Sequence, residues 1–305
     1  VSKSDKNYFK YFCKTTEVFG IKIYATNKVD NEKMLHAASI LAQYLDNDED
    51  GQVDNQTVLD KLIQKNVWLL LVKNESDQDD AARITLKYSN YQDLRDEEIA
   101  LINGSPRFDA SLEEVLHLIT QHGYAKAYPD VFGEKKGSKI ADAMDIARGG
   151  YFKKVPNEYP ANAWYTYNDE SCDYGCQITE YTYWALTSIL GGQDFAGRFD
   201  EIKDEWKLNT NEKVKDQDIA VYNLLTKSEY KFPTKLPNGK YRMNSEPEAT
   251  AQPEDPRADW KQLDSGSRIA FATPPGKLNS RWKMRRSLFK DLVMWDTMRQ
   301  NRFKE

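Results

Sequence analysis

The chain has 305 residues, of which 40% are hydrophobic, 30% charged and 12% aromatic, and its formal net charge is −5. This aromatic content excludes a wholly disordered chain, because large rings need a core or a binding surface. The longest wholly apolar run, residues 67–72, is far shorter than the roughly 20 residues of a membrane-spanning helix, so no transmembrane segment is expected.

Strand and helix patterns alternate in the first half of the chain. Residues 20–26 alternate apolar and polar side chains, which is typical of a half-buried strand. Residues 30–45 then place apolar side chains three and four apart, which predicts an amphipathic helix. The apolar run at residues 67–73 predicts a central strand, and residues 84–88 are a further strand candidate.

Three helices are predicted in the second half. The strongest covers residues 109–121, where a stripe of Leu, Val and Ile ends just before Gly123. Residues 178–190 are apolar nearly all round, which favours a buried helix, and residues 216–225 form a shorter candidate. Together, these strands and helices predict an α+β fold.

The composition changes towards the C-terminal end. Residues 1–243 carry the patterns above and are expected to form one α+β domain. Residues 244–276 begin with a stretch of Pro, acidic residues and Ala, which is the composition of a linker. Residues 277–305 have a local charge of about +6 and apolar residues at helical spacing. They are interpreted as a basic amphipathic helix that docks on an acidic surface.

Oxygen-bearing residues recur at positions 46–54 with the spacing of a calcium loop. Loop positions 1, 3, 5 and 9 carry carboxylates and position 7 offers its backbone carbonyl; these residues are Asp46, Asp48, Asp50, Asp54 and Gln52. Gly51 at position 6 allows the sharp turn that such a loop needs, and helical patterns flank the loop on both sides. The segment resembles the calcium loop of the EF-hand family.

The resemblance implies a bound calcium ion that fastens two helices together. Position 12 is Thr57, where the family has a bidentate Glu, so we expect weak binding that suits millimolar extracellular calcium. The alternative is an Asp-rich solvated turn that binds no ion.

Two of the three histidines of the chain fall in or directly after the helix predicted at residues 109–121. Glu113 precedes His117 by four residues and Glu114 precedes it by three, so the three side chains share one helix face. This EExxH spacing resembles the HExxH helix of the zincin metallopeptidases, with a Glu in place of the first His. In the gluzincin branch the third ligand is a Glu on a later helix, and Glu180 is its loose counterpart here.

The resemblance implies a zincin-like mixed sheet and a metal ion held by Glu113, His117 and Glu180. Glu114 would accept a proton from the water that the metal activates. One His and two carboxylates form a harder ligand set than zinc usually has. Manganese and iron are therefore considered as alternatives to zinc. His122 is an alternative ligand.

A second interpretation of the same residues needs no metal. The two adjacent glutamates are then favourable charges near a helix N-terminus, and Glu180 pairs with a basic residue such as Arg198.

Under the enzymatic interpretation, a nearby tyrosine would stabilise an oxyanion, and the sequence does not choose among Tyr124, Tyr128 and Tyr183.

Two functions are therefore predicted. The first is a secreted, calcium-binding, metal-dependent hydrolase of the metallopeptidase type that acts on a peptide or protein. The second is a calcium-stabilised binding or structural protein without catalysis. No motif for binding nucleotides or nucleic acids is found in the sequence, so nucleic acid is not an expected partner.

The location is predicted from weaker signals. The chain begins without Met or an apolar signal segment, which is interpreted as a trimmed mature product. Three N-x-S/T sequons, at Asn55, Asn74 and Asn103, and the spacing of Cys172 and Cys176, which permits a local disulfide, favour an extracellular location. A cytoplasmic location is left open.

Overall fold

The computed structural model describes residues 12–85, 88–101 and 108–242. Over these residues the protein is an α+β structure that combines a four-stranded mixed sheet with helices, which confirms the predicted class. The predicted linker and basic amphipathic helix, residues 244–276 and 277–305, lie outside the described residues.

The sheet and the helices are built from short elements. The strands are β1 (Lys14–Val18), β2 (Ile21–Ala25), β3 (Trp68–Val72) and β4 (Tyr91–Arg95). The helices are α1 (Asn31–Leu45), α2 (Gln56–Gln64), α3 (Glu75–Thr85), α4 (Ala110–Ile119), α5 (Lys139–Ala147), α6 (Tyr174–Ile189), α7 (Arg198–Ile202), α8 (Asn211–Gln217) and α9 (Ile219–Leu225).

The strands follow the order β1-β2-β3-β4 in the sheet. β1 and β2 form an antiparallel hairpin, and its turn places Phe19 and Gly20 at positive φ. β2, β3 and β4 are parallel, and helices connect them because parallel neighbours need a crossover connection. β3 is buried along its whole length, which confirms the predicted central strand.

The strand predicted at residues 84–88 is wrong. Thr85 is the last residue of α3, and the strand that follows is β4, which begins at Tyr91. At the start of α3, the Asn74 side chain accepts a hydrogen bond from the backbone amide of Asp77 at 3.1 Å. This capping contact begins a helix in a largely polar segment, where apolar periodicity gives no signal.

The helix predicted at residues 216–225 is divided in two at Asp218, where α8 ends and α9 begins. The Asp218 carboxylate accepts a hydrogen bond from the backbone amide of Val221 at 3.3 Å. It also accepts hydrogen bonds from the Tyr181 hydroxyl at 2.6 Å and the Trp164 indole at 2.8 Å. Asp218 therefore joins the two helices to the aromatic core around α6.

The helix predicted to end near Gln121 continues further. After α4 the chain passes through a π-helical turn (Thr120–Tyr124) and one more helical turn (Ala125–Ala127). Gly123 therefore lies inside the helical segment. A Cβ atom at this position would lie 2.7 Å from Val58 Cγ1, so the glycine is needed for the close approach of α2.

α4 is packed on several sides. It contacts β4, α1 and α6, while its π-helical turn contacts α2. From α1, the Tyr44 hydroxyl donates a hydrogen bond to the Leu112 backbone carbonyl at 2.9 Å. The two helices that flank residues 46–54 therefore both contact the helix that carries His117.

Two further features concern the cysteines and the membrane. Cys172 and Cys176 form a disulfide at the start of α6, whereas Cys13 is free and exposed. None of the described helices combines the length and the apolar content that crossing a membrane requires.

Replacing Gly123 by Ala should destabilise the fold, because the new methyl group would overlap Val58 at 2.7 Å and press on Leu62 at 3.3 Å. The free energy of unfolding should fall by about 1–3 kcal/mol, as measured by denaturant unfolding. A second substitution, Val58→Ala, makes room for the methyl group. The double variant should therefore be more stable than the sum of the two single effects predicts, and strict additivity would contradict the close contact.

Candidate metal centre

Three side chains predicted as metal ligands come together in the structure. One ligand atom from each of Glu113, His117 and Glu180 lies within 4.8 Å of the others. Glu113 and His117 lie on α4, and Glu180 reaches them from α6, which packs against α4. We refer to these three residues as the Glu-His-Glu cluster.

The imidazole of His117 is the central group of this cluster, and the residue is only 3% exposed. Its Nε2 atom lies 3.4 Å from Glu180 Oε2 but makes no hydrogen bond within the described part of the chain. Its other ring nitrogen, Nδ1, lies 3.5 Å from Glu114 Oε2. Buried polar atoms usually have a hydrogen-bond partner, so Nε2 is an exception among the described residues, as are Ser111 Oγ and Arg148 Nε. Nε2 differs from these two in facing the carboxylate of Glu180.

Two opposing effects act on the pKa of His117. Burial disfavours the imidazolium and lowers the pKa, but the negative charge of Glu180, and then those of Glu113 and Glu134, raise it. The net result is a pKa above the ordinary value of 6.5. Without another cation, a proton on His117 therefore neutralises part of the acidic surroundings.

Glu114 lies beside His117 and not among the three clustered ligand atoms. Glu114 is 5% exposed, and its Oε2 atom accepts a hydrogen bond from Gln92 Nε2 at 2.5 Å. Gln92 is on β4, so this contact joins α4 to the sheet. The predicted role of Glu114 as a proton acceptor stays a prediction.

The sequence did not reveal three polar residues near the cluster, which are Gln92, Glu134 and Glu205. The Glu134 carboxylate accepts a hydrogen bond from Thr179 Oγ1 at 2.9 Å, next to Glu180. Burial, and then the charge of Glu180, raise the pKa of Glu205 to about 8. These residues belong to a strand and to loops, and no spacing in the sequence connects them to α4.

Tyr183 is the one of the three candidate tyrosines whose ring packs against His117, with 5.6 Å between the ring centroids. The Tyr124 hydroxyl donates to the Lys231 backbone carbonyl at 3.0 Å. The Tyr128 hydroxyl lies 3.2 Å from the Asn55 side-chain nitrogen, which donates to it. Both of these hydroxyl groups are therefore engaged elsewhere.

Two other sequence-based assignments are not brought together with the cluster. His122 is buried in the π-helical turn and is not among the clustered ligand atoms of the described residues. Arg198 donates hydrogen bonds to Gln193 at 2.7 Å and to Glu201 at 3.1 Å. The structure therefore gives no ion pair between Arg198 and Glu180 within the described residues.

The Glu-His-Glu cluster fits a divalent cation. An imidazole nitrogen and two carboxylates are suitable ligands for zinc, manganese or iron. The Nε2 atom of His117 has a lone pair available for such an ion when it is deprotonated, and both carboxylates lie close to it. A bound cation would also compensate the charge that now raises the pKa of His117.

The loop at residues 46–54, which we name the acidic loop, has the predicted sharp turn. Gly51 has a φ of 87°, and its amide donates to Asp46 Oδ2 at 2.8 Å. Carboxylate oxygens of Asp46, Asp48 and Asp50 lie within 4.8 Å of one another. Of the other predicted ligands, Asp54 accepts a hydrogen bond from the Asn47 amide at 2.7 Å, and Gln52 is exposed.

The exit of the acidic loop is fixed by Asn55. Its side chain accepts a hydrogen bond from the Val58 amide at 3.2 Å, which caps α2, and donates to the Tyr230 carbonyl at 2.7 Å. Asn55 is therefore buried and inaccessible to glycosylation in the folded protein. Thr57, at loop position 12, is exposed in the first turn of α2.

Residues 234–242, which we name the strap, cross the acidic loop from the C-terminal side. Asn47 Oδ1 accepts hydrogen bonds from the amides of Thr234 and Lys235, each at 2.9 Å. The Tyr241 hydroxyl donates to Asp46 Oδ2 at 2.5 Å. The Arg242 amide donates to Glu49 Oε2 at 3.0 Å. The strap thus contacts the loop through positions 1, 2 and 4, while Asp48 stays exposed.

No protein-family model, no curated protein and no solved structure matches the chain. Its function is therefore inferred from the geometry of the site.

Zinc affinity should depend on pH through His117. Because the pKa of this residue is raised above 6.5, a proton occupies the imidazole at lower pH and competes with the metal for Nε2. Below that pKa the apparent affinity, measured by competition with a chelator, should fall about tenfold per pH unit. His117→Gln should remove the tight binding, and a pH-independent affinity in the unmodified protein would contradict the assignment of Nε2.

Calcium should raise the melting temperature, because an ion that binds only the folded chain stabilises it. The double variant Asp48→Asn/Asp50→Asn removes two loop carboxylates without changing side-chain size and should lose this response. Asp79→Asn/Asp216→Asn is the matched control, since both residues are exposed and lie outside the loop. A full calcium response in the loop variant would refute the loop assignment.

Proposed function

We propose that this protein is a metal-dependent hydrolase of the metallopeptidase type, with Glu113, His117 and Glu180 as the metal ligands. The observation that carries the proposal is the convergence of these three side chains at one place. His117 Nε2 lies there without a hydrogen bond from the described residues. The spacing on α4 suggested two of the ligands, and the packing of α6 brings the third to them.

Burial supports this proposal. An ionised carboxylate in an apolar environment is costly unless it is paired or bound to a metal. Glu180 is 9% exposed in a helix whose other residues from Gly175 to Ser188 are also buried. Its neighbour His117 carries at most one positive charge, and the charges of Glu113 and Glu134 also act on it. Glu134 has a second cation nearby, since Lys126 Nζ lies 3.6 Å from it.

A divalent cation held by the cluster would polarise a peptide carbonyl and activate a water molecule for attack. The protein residues around it would position these groups. The Tyr183 ring packs edge-on against His117 and limits its rotation. The charge of Glu134 also acts on His117, which favours retention of a cation at this place. Glu205, whose pKa is raised to about 8, is largely protonated at neutral pH and adds little charge.

We infer a structural role for calcium in the acidic loop. α1 enters the loop and α2 leaves it, and both helices contact the segment that carries His117. The contacts are the Tyr44 hydroxyl on the Leu112 carbonyl and the close approach of Val58 to Gly123. An ion that fixes the angle between α1 and α2 would therefore also fix the position of the metal ligands on α4.

A calcium-stabilised binding or structural protein without catalysis is the second candidate. The burial of the cluster favours it, because His117 is 3% and Tyr183 is 1% exposed, which leaves little room for a substrate. In that case a metal in the cluster would hold α4 and α6 together, as metal ions do in closed structural sites.

Secretion is part of the proposal. The disulfide between Cys172 and Cys176 supports it, because such bonds persist in oxidising compartments. The sequon at Asn55 gives no support, since that side chain is buried. A peptide or protein substrate is the partner that the metallopeptidase assignment implies.

The purified protein should contain one equivalent of a transition metal, measured by elemental analysis, and should cleave an unfolded protein substrate. Glu180→Gln should lose the metal and the cleavage together, because it removes a negative ligand but keeps the size of the side chain. Glu212→Gln, an exposed residue on α8, is the matched control and should keep both.

The outcomes separate the two candidates. A metal that is lost in Glu180→Gln, without cleavage of any unfolded substrate by the unmodified protein, would favour the structural role. The absence of a transition metal after reconstitution with zinc, manganese and iron would overturn the metal centre itself.

A further inference from the structure

A chain of side chains leads from the sheet to the Glu-His-Glu cluster. Gln92 lies on β4 and is paired with Leu69 of β3, so its backbone position is fixed by the sheet. Its side-chain amide donates a hydrogen bond to Glu114 Oε2 at 2.5 Å. The same oxygen of Glu114 lies 3.5 Å from His117 Nδ1. Glu114 therefore lies between a rigid strand and the imidazole.

The environment of Glu114 favours a carboxylate that accepts hydrogen bonds. The residue is 5% exposed, and a buried carboxylate needs donors around it. Gln92 supplies one donor, since its NH₂ group can only donate. His117 Nδ1 lies 3.5 Å from the same oxygen, which is longer than a normal hydrogen bond. A proton on Nδ1 would favour a closer approach and would leave the lone pair of the neutral ring on Nε2.

This tautomer is the one that a metal ligand requires. Nε2 faces Glu180 at 3.4 Å and belongs to the side of the ring where the cluster lies. Metal-binding histidines commonly donate their other N–H to a carboxylate, which fixes the tautomer and the ring orientation. Glu114 Oε2 lies on the Nδ1 side of the ring at 3.5 Å, which is the side on which such a carboxylate acts.

The same contact bears on the proton-accepting role that the EExxH spacing suggested for Glu114. A proton acceptor for an activated water would have to lie beside the ligand nitrogen. Glu114 Oε2 lies instead beside the other nitrogen of the ring, at 3.5 Å. Gln92 further holds the carboxylate in this position.

We propose that Gln92 and Glu114 are positioning residues that orient His117 as a metal ligand, with Gln92 fixing Glu114 and Glu114 fixing the imidazole. This inference rests on the proposed metal centre. It adds that the affinity for the metal, and not only the rate of a reaction, depends on a residue of β4 that touches neither metal nor substrate.

The test measures zinc affinity by competition with a chelator, and the absorption spectrum after substitution with cobalt. Glu114→Ala should weaken zinc binding about 10- to 100-fold, as found for second partners of metal-binding histidines. Glu114→Gln should weaken it less, because its amide oxygen still accepts from Nδ1–H. Gln92→Ala should weaken binding in the same direction and change the cobalt spectrum. Gln64→Ala, an exposed glutamine on α2, is the control and should change neither.

The possible results are distinct. If Glu114→Gln and Gln92→Ala bind zinc as tightly as the unmodified chain and give its cobalt spectrum, the positioning role is wrong. A loss of hydrolysis alone in Glu114→Gln would then indicate proton transfer. If the unmodified chain binds no zinc, the metal centre fails and the positioning role with it. Thermal unfolding without metal shows whether each variant folds, so that a loss of affinity is not mistaken for a loss of structure.

Discussion

The charges buried between α4 and α6 impose the main constraint on this structure. Taking an ionised carboxylate out of water costs on the order of several kcal/mol unless a positive charge or hydrogen-bond donors compensate it. Among the described residues, the charge of Glu180, followed by those of Glu113 and Glu134, outweighs the effect of burial on His117, and the raised pKa of this residue is the direct consequence. A proton on His117 reduces the repulsion between these carboxylates, and a divalent cation would reduce it further.

Several elements hold α4 in the position that this arrangement needs. The sheet contacts it through Gln92, α1 through Tyr44, and α2 through the close approach at Gly123. At its N-terminus the capping residue Asp109 accepts a hydrogen bond from the Ser111 amide and lies 2.6 Å from His36 Nε2. Since these contacts come from different elements, a rotation of α4 about its axis would break several of them at once.

The sequence predicted those features that depend on local spacing. The common helix face of Glu113 and His117 and the turn at Gly51 are of this kind, because helix geometry and glycine conformation follow from neighbouring residues. Gln92 was not predictable, since its role exists only through the packing of β4 on α4. The prediction at Gly123 is wrong for a related reason. A glycine after an apolar stripe is typical of a helix end, but here a side chain is excluded because α2 packs closely against this position.

The strap sets a limit on how the protein can be shortened. Gln43 Oε1 accepts hydrogen bonds from the backbone amides of Asn238 and Gly239, each at 2.9 Å. A Cβ atom at Gly239 would overlap the His36 ring, so the strap packs directly against α1. A chain cut before residue 234 would leave the side chains of Gln43 and Asn47 without these partners and would expose Asp46, which is now fully buried. Truncated versions and fusion junctions are therefore best placed after residue 242.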